Sequence, residues 1–195
     1  MFQIENIIPI KNDVSLINSY LTCKKFLNEN DINKIFSVIN KQQLFDSNLT
    51  TGGIINKNEN IRKCKYAAIP VCEETKWFYN KIIEIVKNIN NKYWKFNINK
   101  IGESQYLQYD INGKFDWHLD IGKNNNNRKI SLSLLLNDNY EGGEFEVFRN
   151  NITETITINK GDLLLFPSFL LHRVKPVTKG IRKVIVIWIH GEPFR

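Results

Sequence analysis

Three side chains that can bind a metal ion lie in the C-terminal half of the chain. His118 and Asp120 are separated by one residue and have apolar neighbours within residues 115–120. On a β-strand, this spacing places both side chains on the same face. One imidazole and one carboxylate on one face are two thirds of the 2-His-1-carboxylate triad that binds non-haem Fe(II). The third ligand would be His172, which lies in a second β-like run.

Arg182 and several flanking motifs extend this metal-binding pattern. Arg182 lies ten residues after His172. Together, His118-Leu119-Asp120, His172 and Arg182 resemble the motif of the Fe(II)/2-oxoglutarate-dependent dioxygenases. The flanking residues resemble the prolyl 4-hydroxylase-like branch of that superfamily, in particular its bacterial and phage hydroxylases. The flanking matches are Tyr109, Gly142-Gly143-Glu144-Phe145, the run Gly-Asp-Leu-Leu-Leu-Phe-Pro-Ser at 161–168, and the residues from His172 to Arg182.

The resemblance implies that His118, Asp120 and His172 bind Fe(II). Such a set leaves about three of the six octahedral positions open for a bidentate 2-oxoacid and dioxygen. The implied cofactors are Fe2+, 2-oxoglutarate and O2, with ascorbate as a candidate reductant. The implied reaction couples oxidative decarboxylation of 2-oxoglutarate to hydroxylation of a substrate, and a peptidyl prolyl residue is one candidate. Because cofactors perform this chemistry, no catalytic residue is expected beyond the metal and co-substrate ligands.

Three residues are predicted to bind or surround 2-oxoglutarate. Arg182 suits the distal carboxylate, because a planar guanidinium can pair with a carboxylate through two hydrogen bonds. Tyr109 is the family's candidate for a phenolic hydrogen bond to the same carboxylate. Trp188 follows Arg182 by six residues, so the two share one strand face by parity, and Trp188 matches a pocket-lining position in relatives.

Two departures from the family bear on the co-substrate and the substrate. Residues 130–136 contain no tyrosine, whereas some prolyl hydroxylases carry one on the corresponding strand. Trp188 occupies the position where relatives that demethylate nucleic acids carry a second arginine. We therefore predict that the substrate is a protein side chain or a small molecule and that nucleic acid is not a partner.

Two other functions are compatible with parts of the same pattern. Two histidines and one carboxylate can also hold catalytic Zn2+, so a zinc-dependent hydrolase is one alternative. A catalytically inactive jelly-roll module that binds a protein or nucleic acid is the other. Neither alternative accounts for Arg182, and no glutamate stands directly beside the three ligands as a general base.

The elements that must position these residues are mainly β-strands. After residue 100 the apolar residues alternate with a period of two, and turn signals such as Asn112-Gly113 separate the runs. Eight short strands without intervening helices favour a sandwich or barrel. The resemblance implies a double-stranded β-helix, or jelly roll, with the metal at its open end. The eight predicted strands are 105–110, 114–120, 129–136, 144–149, 152–158, 162–166, 171–177 and 181–189.

The first hundred residues are predicted to be mixed, mainly helical and supporting. Asn30 and Asp31 are candidates to cap a helix that includes Ile35 and Ile39. A second helix is predicted over 73–91, where apolar residues recur at helical spacing and would cover the outer face of a sheet. The fold class is therefore mainly β with an N-terminal helical layer. Residues 1–195 form one predicted domain, divided into helical support over 1–100 and the catalytic double-stranded β-helix over 101–195.

Composition and charge narrow the cellular setting. The 195 residues are 42% hydrophobic and carry a net charge of +7 from scattered lysines and arginines, which does not by itself indicate a nucleic-acid partner. No run approaches the length of a membrane-spanning helix, and residues 1–6 lack the basic start of a signal peptide. We therefore predict a cytoplasmic protein without a membrane partner, which would act in the host cytoplasm if the source is a virus. The three cysteines are expected to be free.

Overall fold

The computed structural model describes residues 4–5, 19–47, 49–51, 54–56 and 60–194. Within these residues, no helix is long and apolar enough to cross a membrane.

Two α-helices lie within residues 1–100 of the described structure. Helix α1 spans Glu29–Ile39 and begins at Asn28, whose side-chain Oδ1 accepts a hydrogen bond from the Asp31 backbone N–H at 2.9 Å. The predicted cap at residues 30–31 is therefore wrong by two residues, because Asn28 already occupies the extended conformation that capping requires. Helix α2 spans Glu73–Ile89 and continues into a π-helical turn over Asn90–Trp94.

Seventeen short strands complete the described structure. In chain order they are β1 Ile4–Glu5, β2 Leu21–Cys23, β3 Phe45–Asp46, β4 Leu49–Thr51, β5 Ile54–Asn56, β6 Arg62–Lys63, β7 Lys65–Ala68, β8 Ile98–Tyr109, β9 Lys114–His118, β10 Arg128–Leu135, β11 Tyr140–Gly142, β12 Phe145–Arg149, β13 Ile152–Ile156, β14 Leu163–Pro167, β15 Leu171–Val174, β16 Val177–Gly180 and β17 Arg182–Gly191. Each of the eight predicted strands overlaps an observed strand, so their existence is confirmed.

The strands form two main antiparallel sheets, which confirms the predicted jelly roll. The major sheet has the order β1-β2-β14-β10-β17-β8-β7-β3, and the minor sheet has the order β13-β12-β15-β9-β6. Two-stranded pairs, β11-β16 and β4-β5, lie beside them. The non-sequential neighbours mean that long connections pass between the two sheets, as the jelly-roll topology requires.

The major sheet separates two apolar clusters. On its outer face, Ile185 and Ile187 of β17 belong to a cluster that includes Phe78 and Ile82 of α2. On its inner face, Val184 of the same strand belongs to a second cluster that includes residues from the minor sheet. The period-2 alternation along β17 therefore serves both layers at once. The helical stripe predicted over 73–91 covers the outer face, as expected.

The bounds of all eight predicted strands differ from the observed ones by one or more residues. In particular, β9 ends at His118, so Asp120 follows the strand that was predicted to contain it. Strand β8 begins at Ile98, earlier than the predicted 105. The predicted run 171–177 is divided between β15 and the start of β16, because Pro176 lacks the N–H that a continuous ladder needs. Strand β11 was not predicted. It ends at Gly142, which has a φ of +73° and starts the turn into β12.

Candidate metal and co-substrate site

The ends of two adjacent strands in the minor sheet bring the predicted metal ligands together. His118, the last residue of β9, is the direct cross-strand partner of His172 in β15. Asp120 lies just beyond β9, and its backbone N–H donates a 3.0 Å hydrogen bond to the Ser168 carbonyl. This bond fixes the chain after β9 against the segment that leads into β15. Residues more than fifty positions apart in sequence thus meet at one end of the sheet.

The three side chains form a compact set of potential ligands. The Nε2 atom of His118 is 3.7 Å from Oδ1 of Asp120, and the Nε2 atom of His172 is 3.7 Å from Oδ2 of the same carboxylate. All three potential ligating atoms lie within 4.8 Å of one another. Two donors bound to one ion at about 2 Å lie no more than about 4 Å apart, so both 3.7 Å separations are compatible with a single ion between the three residues.

Backbone carbonyls determine which nitrogen of each histidine faces the centre of the site. The Nδ1–H of His118 donates to the Asp116 carbonyl at 2.7 Å, and the Nδ1–H of His172 donates to the Leu170 carbonyl at 2.8 Å. A carbonyl oxygen only accepts, so each Nδ1 carries the proton. The Nε2 lone pairs are therefore left for a metal ion, which is the orientation that ligating histidines require.

The charge states also suit metal binding. Burial and the neighbouring His172 lower the pKa of His118 to about 3, so its imidazole is neutral at neutral pH. Burial opposes ionisation of Asp120, but His172, His118 and the Ser131 hydroxyl outweigh this and lower the pKa of the carboxyl below its usual value. The site therefore offers a neutral imidazole and an ionised carboxylate, the protonation states that coordinate divalent metals.

Aromatic rings enclose the two histidines. The Phe115 ring stacks on His118 with centroids 3.4 Å apart and an interplanar angle of 11°. Phe145 lies nearly parallel to His172 at 5.3 Å, and Phe166 approaches His172 edge-on at 4.7 Å. These rings hold the imidazoles in place and keep water away from the inner side of the site.

Arg182 lies at the start of β17 and points into the space between the two sheets. Its side chain is 1% exposed, and its Cα is paired with that of Tyr109 on β8. The guanidinium carbon is 5.6 Å from the centre of the Tyr109 ring. Its Nε is buried without a hydrogen-bond partner among the described residues. A buried guanidinium without an anionic partner is costly, so this position favours an anionic ligand.

Tyr109 and Trp188 line the same cavity as Arg182. Burial raises the pKa of Tyr109, so the phenol stays protonated and can donate a hydrogen bond. Trp188 is 8% exposed, and the Arg128 guanidinium carbon lies 3.9 Å from the centre of its ring. The bulge between β17 and β8 near this residue does not disturb the alternation along β17, so Trp188 and Arg182 share the inner face as predicted.

One cavity of about 40 Å³ is lined by all six residues that the sequence predicted for the metal and co-substrate site. The six are His118, Asp120, His172, Arg182, Tyr109 and Trp188. Their convergence agrees with the expected pocket, while the role of each stays a prediction. The donor set also fits the implied cofactors, since it combines metal-binding groups at one place with a buried guanidinium whose Nε has no partner among the described residues at another.

Several residues that support the site were not predicted. The Ser131 hydroxyl on β10 helps to lower the pKa of Asp120 and forms a 2.9 Å hydrogen bond with the Ser168 hydroxyl. Its signal was available, because a serine at a fully buried position of an apolar strand needs a polar partner. Arg128 donates a 3.3 Å hydrogen bond to the Asp120 carbonyl. Arg62 on β6 also lines the cavity, and no local motif marks it.

The sequence comparisons identify relatives across most of the chain. A model described as the 2OG-Fe(II) oxygenase superfamily matches residues 104–190. A PKHD-type hydroxylase of Aliarcobacter butzleri is 30% identical over 176 residues, which cover 85% of this chain and 75% of that relative. The similarity therefore includes the N-terminal half as well as the strands around the cavity.

Two solved structures share the fold. A prolyl hydroxylase of Trichoplax adhaerens, in complex with a hypoxia inducible factor oxygen degradation domain peptide fragment, has a TM-score of 0.74 at 20% identity. That match covers 89% of this chain and 84% of the other. The match to a Pseudomonas putida prolyl-4-hydroxylase has a TM-score of 0.70 at 17% identity, and it covers 89% of this chain and 93% of the other. At these identities the likeness concerns the fold.

The family assignment depends on the sequence relatives. The model match contains every residue of the candidate site that was predicted, and the hydroxylase relative extends the similarity to three quarters of its own length. The chain therefore belongs to the 2OG-Fe(II) oxygenase superfamily and is an oxygenase of the hydroxylase type.

Proposed function

We propose that this oxygenase binds Fe(II) through His118, Asp120 and His172 and binds 2-oxoglutarate through Arg182 and Tyr109. Membership of the superfamily implies Fe2+, 2-oxoglutarate and O2 as cofactors. The observation that carries the proposal is the buried Arg182 guanidinium, whose Nε has no partner, in the same cavity as the three metal-binding side chains. Neither a zinc hydrolase nor an inactive binding module needs a buried cation at that place.

The three ligands prepare the site electrostatically. His118 and His172 contribute imidazole nitrogens, and Asp120 contributes the single negative charge of the set. A divalent ion held this way keeps a net positive charge, which attracts an anionic co-substrate. When bound, the iron, 2-oxoglutarate and dioxygen supply the oxidative chemistry that converts a C–H bond of the substrate to an alcohol and yields succinate and CO2.

The remaining residues orient the co-substrate and protect it from water. Arg182 offers a planar fork of donors for the distal carboxylate, and the protonated Tyr109 hydroxyl can donate to the same group. The Ser131 hydroxyl favours the ionised form of Asp120 by lowering its pKa, and the Nδ1–H bonds to backbone carbonyls orient both imidazoles. The stacked Phe115 and the rings near His172 restrict water on the inner side.

We propose a peptidyl prolyl residue as the first substrate class to test, with other protein side chains and small molecules next. The support is the name of the hydroxylase relative and the prolyl hydroxylases with the same fold. Trp188 lines the cavity and offers an aromatic surface on which the apolar ring of a proline could pack. Trp188 at this position also supports the expectation that nucleic acid is not a substrate.

Four further expectations belong to this proposal. Ascorbate is proposed as a reductant that keeps the iron in the Fe(II) state. The helical support over 1–100 and the strands over 101–195 are proposed to form one domain, since the outer apolar cluster joins α1, α2 and the major sheet.

A cytoplasmic location and the absence of a membrane partner stay predictions. Fractionation of cells that express the tagged chain would test both.

Turnover with labelled oxygen tests the proposed function. The purified protein, supplied with Fe(II), ascorbate and 2-oxoglutarate under labelled dioxygen, is incubated with host lysate and with proline-containing peptides. We expect succinate formation and a product that gains one labelled oxygen atom. A matched Arg182→Ala sample controls for iron-driven background oxidation. If neither succinate nor labelled product exceeds that background, or if activity follows added Zn2+ instead, the proposal is wrong.

A further inference from the structure

Arg62 is a second arginine at the cavity, and it comes from outside the region that the family model matches. It lies on β6, the edge strand of the minor sheet, where its Cα is paired with that of Phe115 on β9. Its side chain lines the same cavity as Arg182, Tyr109 and the three metal-binding residues. Because Arg182 belongs to the major sheet, the two arginines approach the cavity from opposite sheets.

The surroundings of Arg62 leave part of its hydrogen-bonding capacity unused. Its guanidinium carbon is 4.9 Å from the centre of the Phe115 ring, so one face of the cation is covered by an aromatic ring. The Nε atom is buried and has no hydrogen-bond partner among the described residues, as is also true of Arg182. Two guanidiniums with unused donors therefore face one small cavity.

Both arginines act on Tyr109. The Arg182 guanidinium carbon lies 5.6 Å from the Tyr109 ring centre, and Arg62 lines the same cavity as that tyrosine. Burial raises the pKa of Tyr109, and the positive charges of Arg62 and Arg182 both act against this rise. Tyr109 is therefore close to both cations at the cavity. That region contains three groups able to donate hydrogen bonds to one anion.

The charges of the residues that line the cavity also favour an anionic ligand. Among the lining residues, Arg62 and Arg182 are cationic and Asp120 is the anionic member. An ionised carboxylate has two oxygens and about four acceptor sites, so it can accept from two guanidiniums and one phenol at the same time. A single carboxylate would thus satisfy donors that are otherwise buried without partners.

We propose that Arg62 binds the distal carboxylate of 2-oxoglutarate together with Arg182 and Tyr109. The carboxylate is then held between the two sheets by a cation from each. This inference rests on the proposed function, since it assumes that 2-oxoglutarate occupies the cavity. It makes Arg62 a specificity residue for 2-oxo acids with a second carboxylate.

Calorimetric binding to the Mn(II)-loaded protein tests this proposal without turnover. The two ligands are 2-oxoglutarate and 2-oxovalerate, which has the same carbon chain and lacks the distal carboxylate. The test variants are Arg62→Gln and Arg62→Lys. Lys63→Gln is the matched control, because it removes one positive charge from the neighbouring, exposed residue of β6. Melting temperatures of all samples show whether each variant is folded.

The expected result is a selective loss of 2-oxoglutarate binding. Arg62→Gln should weaken it by about 10- to 100-fold, as expected for one charge-assisted hydrogen-bonding contact. Binding of 2-oxovalerate should change less than about twofold, because the distal contact is absent for that ligand. Arg62→Lys should show a smaller loss that is also confined to 2-oxoglutarate, since lysine keeps the charge but not the planar fork. Lys63→Gln should bind both ligands normally.

Several results would overturn the proposal. Unchanged 2-oxoglutarate affinity in a folded Arg62 variant would exclude the contact, and if Arg62→Gln does not fold, Arg62→Lys alone decides. Equal weakening of both ligands would instead assign Arg62 to the positioning of Phe115 and His118, at the metal end of the cavity. If the unaltered protein with Mn(II) fails to bind 2-oxoglutarate at all, the proposed function fails as well, and that outcome is distinct from a failure of Arg62 alone.

Discussion

Replacing Arg182 with alanine separates co-substrate recognition from support of the fold. The side chain is 1% exposed, and its Nε is buried without a partner among the described residues. If its guanidinium pairs with the distal carboxylate, the variant loses a desolvated charge pair, which typically costs about 2–5 kcal/mol. That corresponds to about 30- to 3000-fold weaker binding of 2-oxoglutarate. The apoprotein loses no ion pair with a described residue, so the effect on binding should exceed the effect on folding.

The assay compares the KM for 2-oxoglutarate with the melting temperature of the same samples. Succinate formation gives the KM, and iron affinity is measured separately and should stay close to that of the unaltered protein. Lys183→Ala is the matched control, because Lys183 is the next residue of β17 and contacts Phe36 instead of the cavity. Arg182→Lys should restore part of the affinity. A normal KM accompanied by a lowered melting temperature would refute the assignment of Arg182 to the co-substrate.

Three further predictions concern the ligands and the helical layer. His172→Ala should abolish iron binding and 2-oxoglutarate turnover, with the circular dichroism spectrum unchanged, because it removes one of three ligands. Asp120→Asn should weaken iron retention measured by dialysis against a chelator, because it removes the only anionic ligand of the set. Asn28→Ala should lower the free energy of unfolding in urea by about 1 kcal/mol, since it removes the side chain that caps α1.

Controls make these three outcomes decisive. His190→Ala changes a histidine that is absent from the cavity lining and should leave iron binding intact. Normal turnover by His172→Ala, or iron retention by Asp120→Asn equal to that of the unaltered protein, would contradict the ligand assignment. Asn30→Ala, within α1, should cost less stability than Asn28→Ala. The reverse order would place the cap where the sequence first suggested it.

Much of the metal site could be predicted because its signals are local. The His-x-Asp spacing, the apolar run before His172 and the alternation along β17 each depend on neighbouring residues. Phe115 shows the limit of such reasoning. Strict alternation would put Phe115 and His118 on opposite faces of β9, but a bulge between their pairings with β15 brings both inward. The aromatic cover on His118 therefore depends on a tertiary irregularity.

Arg62 could not be predicted for a related reason. Its place at the cavity results from the pairing of β6 with β9, two strands separated by about fifty residues, and β6 has only two residues. A strand that short has no periodicity to detect. The division of the run 171–177 could have been predicted from the sequence, because Pro176 is a local signal that interrupts a strand.

Anaerobic absorption spectroscopy tests whether iron and 2-oxoglutarate bind together in this site, and it does so without requiring a substrate. Fe(II) is added to the apoprotein, 2-oxoglutarate is titrated in, and the visible region is recorded for the unaltered protein and for His172→Ala. We expect a weak charge-transfer band that saturates at one 2-oxoglutarate per chain and is absent from the variant. A colourless protein, or a band of equal strength in both samples, would contradict this expectation.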